Sequence, residues 1–242
     1  MRLIKSTLRP ILLMVSAAAI GACGDGGSAT EPSAAPVPAA VNAIAAGFNY
    51  SCMLTSVGNA YCWGSNSAGQ LGAGDTTAST TPRAVGGGLR FTQITIGTNF
   101  TCGLATTGAA YCWGTGQQGQ LGNGTSVSSA SPVAVLGGLH FESISAGYRF
   151  ACGVQATTRD AYCWGDNTFG SLGVGDTLPR GTPTRVATGG PKFKTLHAGF
   201  RHVCALSDEA TSAVYCWGWN AEHEVSPASA IHFLVPTLVS IP

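Results

Sequence analysis

One unit of about fifty residues occurs four times along this 242-residue chain, and no other property restricts its fold so strongly. The strings SCMLTSVGNAYCWG, TCGLATTGAAYCWG, ACGVQATTRDAYCWG and VCALSDEATSAVYCWG place tryptophans at Trp63, Trp113, Trp164 and Trp217, at intervals of 50, 51 and 53 residues. A period of that length implies equivalent modules that bury apolar faces against their neighbours. Each unit opens with an alternating strand that ends in glycine, as in Phe91 to Gly97 and Phe141 to Gly147. A hairpin follows from the first cysteine to the tryptophan, then a glycine-rich loop. A Pro-x-x-Val strand closes the unit: Pro82 to Val85, Pro132 to Val135, Pro183 to Val186 and Pro236 to Val239. The interval from tryptophan to proline is 19 in all four units, including the fourth, whose loop has lost its glycines. Four short strands per unit without helical periodicity predict an all-β, β-propeller-type array of four four-stranded blades. The blades span about residues 41–88, 89–138, 139–190 and 191–242.

The cysteines fall into the same units. Apart from Cys23, eight remain as four local pairs: Cys52 with Cys62, Cys102 with Cys112, Cys152 with Cys163, and Cys204 with Cys216. Pairing each directly across its hairpin leaves turns of three, three, four and five residues. In the three-residue turns Gly58 and Gly108 occupy the third position, which requires a left-handed backbone. Register and turn chemistry therefore agree on four disulfides, each bracing one blade in an oxidising compartment. Zinc is the competing reading, but structural zinc pairs are spaced by two to four residues and these by ten to twelve.

The first segment reads as an address. Arg2, Lys5 and Arg9 precede an apolar run from Ile11 to Ala22, too short to span a bilayer and ordered like a secretory signal. Ile20-Gly21-Ala22-Cys23 resembles the bacterial lipobox, which implies cleavage of residues 1–22 and lipidation of Cys23; an ordinary signal peptide is the alternative. Gly24, rather than an aspartate, follows the cysteine, so the outer membrane or cell surface is the expected location. Residues 23–40 then read as the lipidated cysteine and a flexible tether, and 41–242 as the repeat domain. With the leader removed, nine bases face eleven acids, a balance that disfavours nucleic-acid binding.

The strand-glycine motif, the Tyr-Cys-Trp-Gly hairpin, Gly69-Gln-Leu-Gly72, Gly119-Gln-Leu-Gly122 and the closing Pro-x-x-Val resemble repeats of the regulator of chromosome condensation family, over about residues 41 to 242. The paired cysteines look like the secreted bacterial branch. The resemblance implies a propeller and binding roles. Family members include a guanine-nucleotide exchange factor acting on a small GTPase and chromatin, and a secreted propeller that inhibits beta-lactamases. Exchange activity requires a cytoplasmic or nuclear setting, which the leader and cysteines oppose. Members commonly carry seven blades of about 51° each, so four would form an incomplete, open propeller. Its terminal faces would then be covered by a second copy, by another chain, or by a contracted closure.

No Gly-x-Ser-x-Gly elbow, His-Glu-x-x-His or phosphate-loop lysine occurs, so the chain reads as non-enzymatic and without a cofactor or metal. The repeated tryptophans are expected to pack between blades. His202 holds the position of Tyr50, Phe100 and Phe150 and reads as packing rather than as a ligand. Glu222-His223-Glu224 reads as an exposed loop, with a metal site as the sharper alternative. The residues after each strand-ending glycine vary among blades: Phe48-Asn49, Thr98-Asn99, Tyr148-Arg149 and Phe200-Arg201. Either the aromatics tuck between blades, or these residues form a contact face. The expectation is a lipid-anchored envelope scaffold for an unknown protein partner, with self-association through the terminal blades. The alternative is an envelope enzyme or carbohydrate-binding module on the loop face.

Overall fold

The computed structural model describes residues 39–187, 190–210 and 212–240. The leader, Cys23 and the tether up to residue 38 lie outside these residues. The chain divides between Val37 and Pro38, and the fold concerns the second unit, Pro38–Pro242.

Sixteen strands form four antiparallel sheets, each a meander in chain order. The first holds β1 (Val41–Ala46), β2 (Tyr50–Thr55), β3 (Ala60–Gly64) and β4 (Ser79–Ala84). The second holds β5 (Phe91–Ile96), β6 (Phe100–Ala105), β7 (Ala110–Gly114) and β8 (Ser129–Ala134). The third holds β9 (Phe141–Ala146), β10 (Phe150–Gln155), β11 (Ala161–Gly165) and β12 (Arg180–Arg185). The fourth holds β13 (Phe193–Ala198), β14 (His202–Ser207), β15 (Val214–Trp219) and β16 (His232–Leu238). The closing strands start three or four residues before their prolines and end before or just before the motif valine, so the motif marks their second half. Proline is tolerated there because each of these strands is the outermost in its sheet.

The four cysteine pairs are direct cross-strand partners and are joined as disulfides, 52 to 62, 102 to 112, 152 to 163 and 204 to 216. Every hairpin turn ends in a left-handed residue: Gly58 and Gly108 at φ +83°, Arg159 at 60° and Ser212 at 50°. Only the first two are glycines; the longer turns put Arg159 and Ser212 in a backbone that their side chains disfavour, closed by the bonds of Arg159 N–H to the Gln155 carbonyl and of Ser212 N–H to the Glu209 carbonyl. Three of those residues also carry an inter-blade bond. The carbonyls of Gly58, Gly108 and Arg159 accept the N–H of Phe91, Phe141 and Phe193, the first residue of the next blade.

The core lies between the sheets. One cluster joins Tyr50, Leu54 and Leu71 of the first blade to Phe91, Ile94 and Trp113 of the second. Equivalent clusters join the second blade to the third and the third to the fourth. Trp113, Trp164 and Trp217 are fully buried, and their indole N–H groups donate to the carbonyls of Gln70, Gln120 and Ser171 in the preceding blade. Trp63 departs from the expectation for its repeat position. It is half-buried, because no sheet among the described residues precedes the first blade to cover that face. On the same face Val41 is 54% and Ile44 77% exposed, whereas their counterparts Phe91 and Ile94 are buried.

Candidate functional site

The loop after each innermost strand is built on a glycine. A Cβ at Gly199 would lie 2.6 Å from the His202 ring, and the rings of Phe100 and Phe150 crowd Gly97 and Gly147 in the same way. His202 therefore packs as the aromatics of its position do. With the glycine pinned beneath that ring, the next two residues face outward. Phe48 is 90% and Phe200 60% exposed, while Tyr148 is half-buried, so Phe48 and Phe200 stand in solvent rather than between blades. The loops are tied across blades, since Thr98 N–H donates to the Tyr148 carbonyl and Tyr148 N–H to the Phe200 carbonyl. Phe48, Ile96, Ala146, Tyr148, Ala198 and Phe200 line an apolar depression of about 560 Å³ to which all four blades contribute.

Arg201 stands at the centre of the aromatic cluster. Its guanidinium carbon lies 4.3 Å from the Phe169 ring centroid, 5.1 Å from Phe200, 5.6 Å from Tyr148 and 5.7 Å from Trp219. Such cation–π contacts strengthen as water is excluded. Tyr148 and Phe200 approach to 4.4 Å, Phe169 and Trp219 to 4.7 Å edge to face, and Arg149 lies 4.7 Å from the Tyr148 centroid. The structure thus brings together Tyr148, Arg149, Phe200 and Arg201, and adds Phe169, Trp219 and His232, which were not singled out from the sequence. Two signals could have found them. Trp219 is a fifth tryptophan outside the repeat, and Phe169 replaces the Ala68 and Gln118 of its aligned positions.

A second, polar cleft of about 570 Å³ lies beside the first blade's glycine-rich loop. Asn99 lines this cleft with Thr98, Gln117 and Gln118, whereas Asn49 is exposed and lines neither cavity. Its first-blade rim is held by a buried asparagine. Asn66 donates to the carbonyls of Asp75 and Thr77 and accepts from Leu71 N–H; Asn167 and Asn220 brace their own loops in the same manner. Arg83 pairs with Asp75, and Arg180 with Asp176, each at 2.6 Å. Those guanidiniums, together with a backbone N–H from Thr77 or Leu178, hold both carboxyls below the usual range. Burial pushes the Tyr50 phenol up, although its bond with Thr101 opposes this.

The Glu222-His223-Glu224 loop has a structural explanation. The carboxylate of Glu224 accepts from Glu222 N–H, the bond that the side-chain carbonyls of Gln70 and Gln120 make to Ala68 and Gln118. His223 takes the left-handed position that Gly69 and Gly119 fill elsewhere, at φ 62°.

Repeated disulfide-braced sheets that stack through tryptophan and glycine and carry variable side chains on one loop face define a bladed repeat protein. The family model of the Regulator of chromosome condensation (RCC1) repeat matches residues 57–104, 107–154 and 160–206, and a second model of that repeat matches 41–70, 91–120 and 141–171. The chain belongs to this repeat family. A curated relative, the ultraviolet-B receptor UVR8 of Arabidopsis thaliana, is 35% identical over 78 residues, which is 32% of this chain and 17% of the relative. Human WBSCR16 superposes with a TM-score of 0.75 at 20% identity, covering 86% of this chain and 55% of that one. Prp20p from Saccharomyces cerevisiae gives 0.72 at 22% identity, covering 86% and 52%. These likenesses are of fold, and the chain spans about half the length of those two solved structures.

Proposed function

We propose that this protein is a non-enzymatic scaffold, held in the cell envelope by a lipid on Cys23, that grips a protein partner with its loop face. The observation that carries the reading is the cluster of Arg201 with Phe169, Phe200, Tyr148 and Trp219 beside an apolar depression rimmed by the exposed Phe48. Aromatic and arginine side chains are the commonest anchors of protein recognition, and here they are already stacked, so little side-chain freedom is lost on binding. The Saccharomyces cerevisiae relative, whose structure is described with its binding to Gsp1p and histones, supports protein contact as a use of the fold. Those particular partners do not transfer, because the leader and the four disulfides fit an oxidising envelope rather than the nucleus.

Self-association belongs to the same reading, through the exposed Val41, Ile44 and Trp63 of the first blade in an array that stays open. The test of partner binding is a photo-crosslinking residue placed at Phe200 or Phe48 in the native cell. The expected result is one protein captured at both positions and lost when Arg201→Ala is added. Capture at neither position, or capture indifferent to Arg201, overturns the reading. Cys23→Ala is expected to release the chain from the membrane fraction, and intact-mass analysis of the unaltered chain to show an acylated Cys23.

A further inference from the structure

We propose that the polar cleft, which shares Tyr148 and Arg149 with the edge of the aromatic cluster, binds an acidic oligosaccharide, with Arg149 receiving its carboxylate. The cleft is a break in the repeat. At aligned loop positions the third blade carries Phe169, which joins Arg201 and Trp219 in the aromatic cluster. The second blade has Gln117 and Gln118 there, and with them the space of about 570 Å³ stays open, a size usual for small-ligand sites.

The lining chemistry decides the ligand class. Asn99, Gln117, Gln118, Thr98 and Thr115 all face the cleft, and their side chains make no hydrogen bond to any described residue. Gln120 also lines the cleft; its side-chain carbonyl is committed to Gln118 N–H, and its amide nitrogen donates to no described residue. No carboxylate lines the cleft, and Arg149 is its single cation. Arg149 is exposed, stacked 4.7 Å from the Tyr148 centroid, and its guanidinium donates to no described residue, so its donors are held in place and free.

A ligand that satisfies this many amides and hydroxyls must itself be dense in donors and acceptors. An oligosaccharide is. A peptide would need apolar pockets for its side chains, and beyond the Tyr148 ring the cleft offers only the methyls of Ala68, Ala130 and its threonines. A nucleic acid would need several cations along its backbone. One guanidinium among neutral amides matches one carboxylate on a sugar, bound by a bidentate charge-assisted pair.

The test titrates the full-length chain with cellobiouronate, a disaccharide with one carboxylate, and, in parallel, with the neutral cellobiose, by calorimetry and saturation-transfer NMR. Saturable binding of the uronate is expected, weakened about tenfold or more by Arg149→Gln, the size of one charge-assisted pair. The paired change Asn99→Ala with Gln117→Ala should weaken both sugars. These side chains are at most half-buried and donate no intramolecular bond, so all variants should melt like the parent. Failure of either sugar to saturate, or saturation unmoved by both sets of changes, overturns the site. Equal binding of the two sugars, insensitive to Arg149→Gln, overturns the role assigned to the carboxylate.

Discussion

Glycine is required at some repeat positions by a neighbour and at others only by backbone conformation, and the two cases predict different costs. Gly122 has φ +66°, and a Cβ there would meet the Trp164 indole at 2.8 Å; Gly72 and Gly173 face Trp113 and Trp217 in the same way. Gly138 has φ +61° and nothing within 4 Å of the added atom. Gly138→Ala should therefore cost about 1 kcal/mol, the strain alone. Gly122→Ala adds overpacking against a fully buried tryptophan, for about 2–4 kcal/mol in total. Urea melts of the two variants check this, and equal losses would mean that the indole yields. Most side chains of the site were legible at this scale, because Tyr148, Arg149, Phe200 and Arg201 vary where the surrounding repeat does not. Phe169 was missed because its loop reads as a turn, and only packing brings it under Arg201.

At the scale of the element, each hairpin is closed by its own disulfide, and the loops of the first, third and fourth blades by their own asparagines, so the blades are braced one at a time. Non-reducing peptide maps should recover four intra-blade links, 52–62, 102–112, 152–163 and 204–216, and no link between blades. Reduction should cost about 2–3 kcal/mol for each hairpin, the loop-closure entropy of ten to twelve residues. The loops of the first and third blades have a second brace that is sensitive to acid. The folded pKa of Asp75 and of Asp176 is lowered by its arginine, so the pairs contribute their full stability above the ordinary carboxylate range of about 4. That contribution is lost as pH falls through the ordinary range toward the depressed values. Protection from hydrogen exchange across residues 66–77 and 167–178, measured against the intrinsic rate at each pH, should fall below about pH 4. Asp75→Asn should remove the acid response from the first loop while leaving the third unchanged.

For the whole molecule, the two terminal faces are unlike each other. The first blade keeps the face that its equivalents bury, with Val41 and Ile44 exposed and Trp63 half-buried. The fourth blade has lost two of the glycines that admit a neighbour. His223 replaces the residue that touches the next blade's outer strand, and Ser226 replaces the one that receives the tryptophan. A head-to-tail contact copying the internal interfaces would drive Trp63 of one copy into Ser226 of the other, so the self-association proposed above would join two first-blade faces. Sedimentation of the Cys23→Ala chain should show a concentration-dependent dimer, as expected for a self-complementary patch. Ile44→Asp should abolish it and Ser226→Arg should not; higher polymers, or sensitivity to Ser226, would reverse the assignment.

Sequence alone determined the blade, because its strands, turn glycines and cysteine register are local and repeat at one period. Four independent copies of the same spacing leave little room for another fold. The packing between blades was legible for Trp113, Trp164 and Trp217, since the same residue at the same position meets the same neighbour. It was misleading for Trp63, because a repeat states what a position buries against and not whether that neighbour is present. The Arg201 cluster and the open amide-lined cleft were decided by tertiary structure. Each depends on distances between loops of different blades, and a linear period carries no information about those distances.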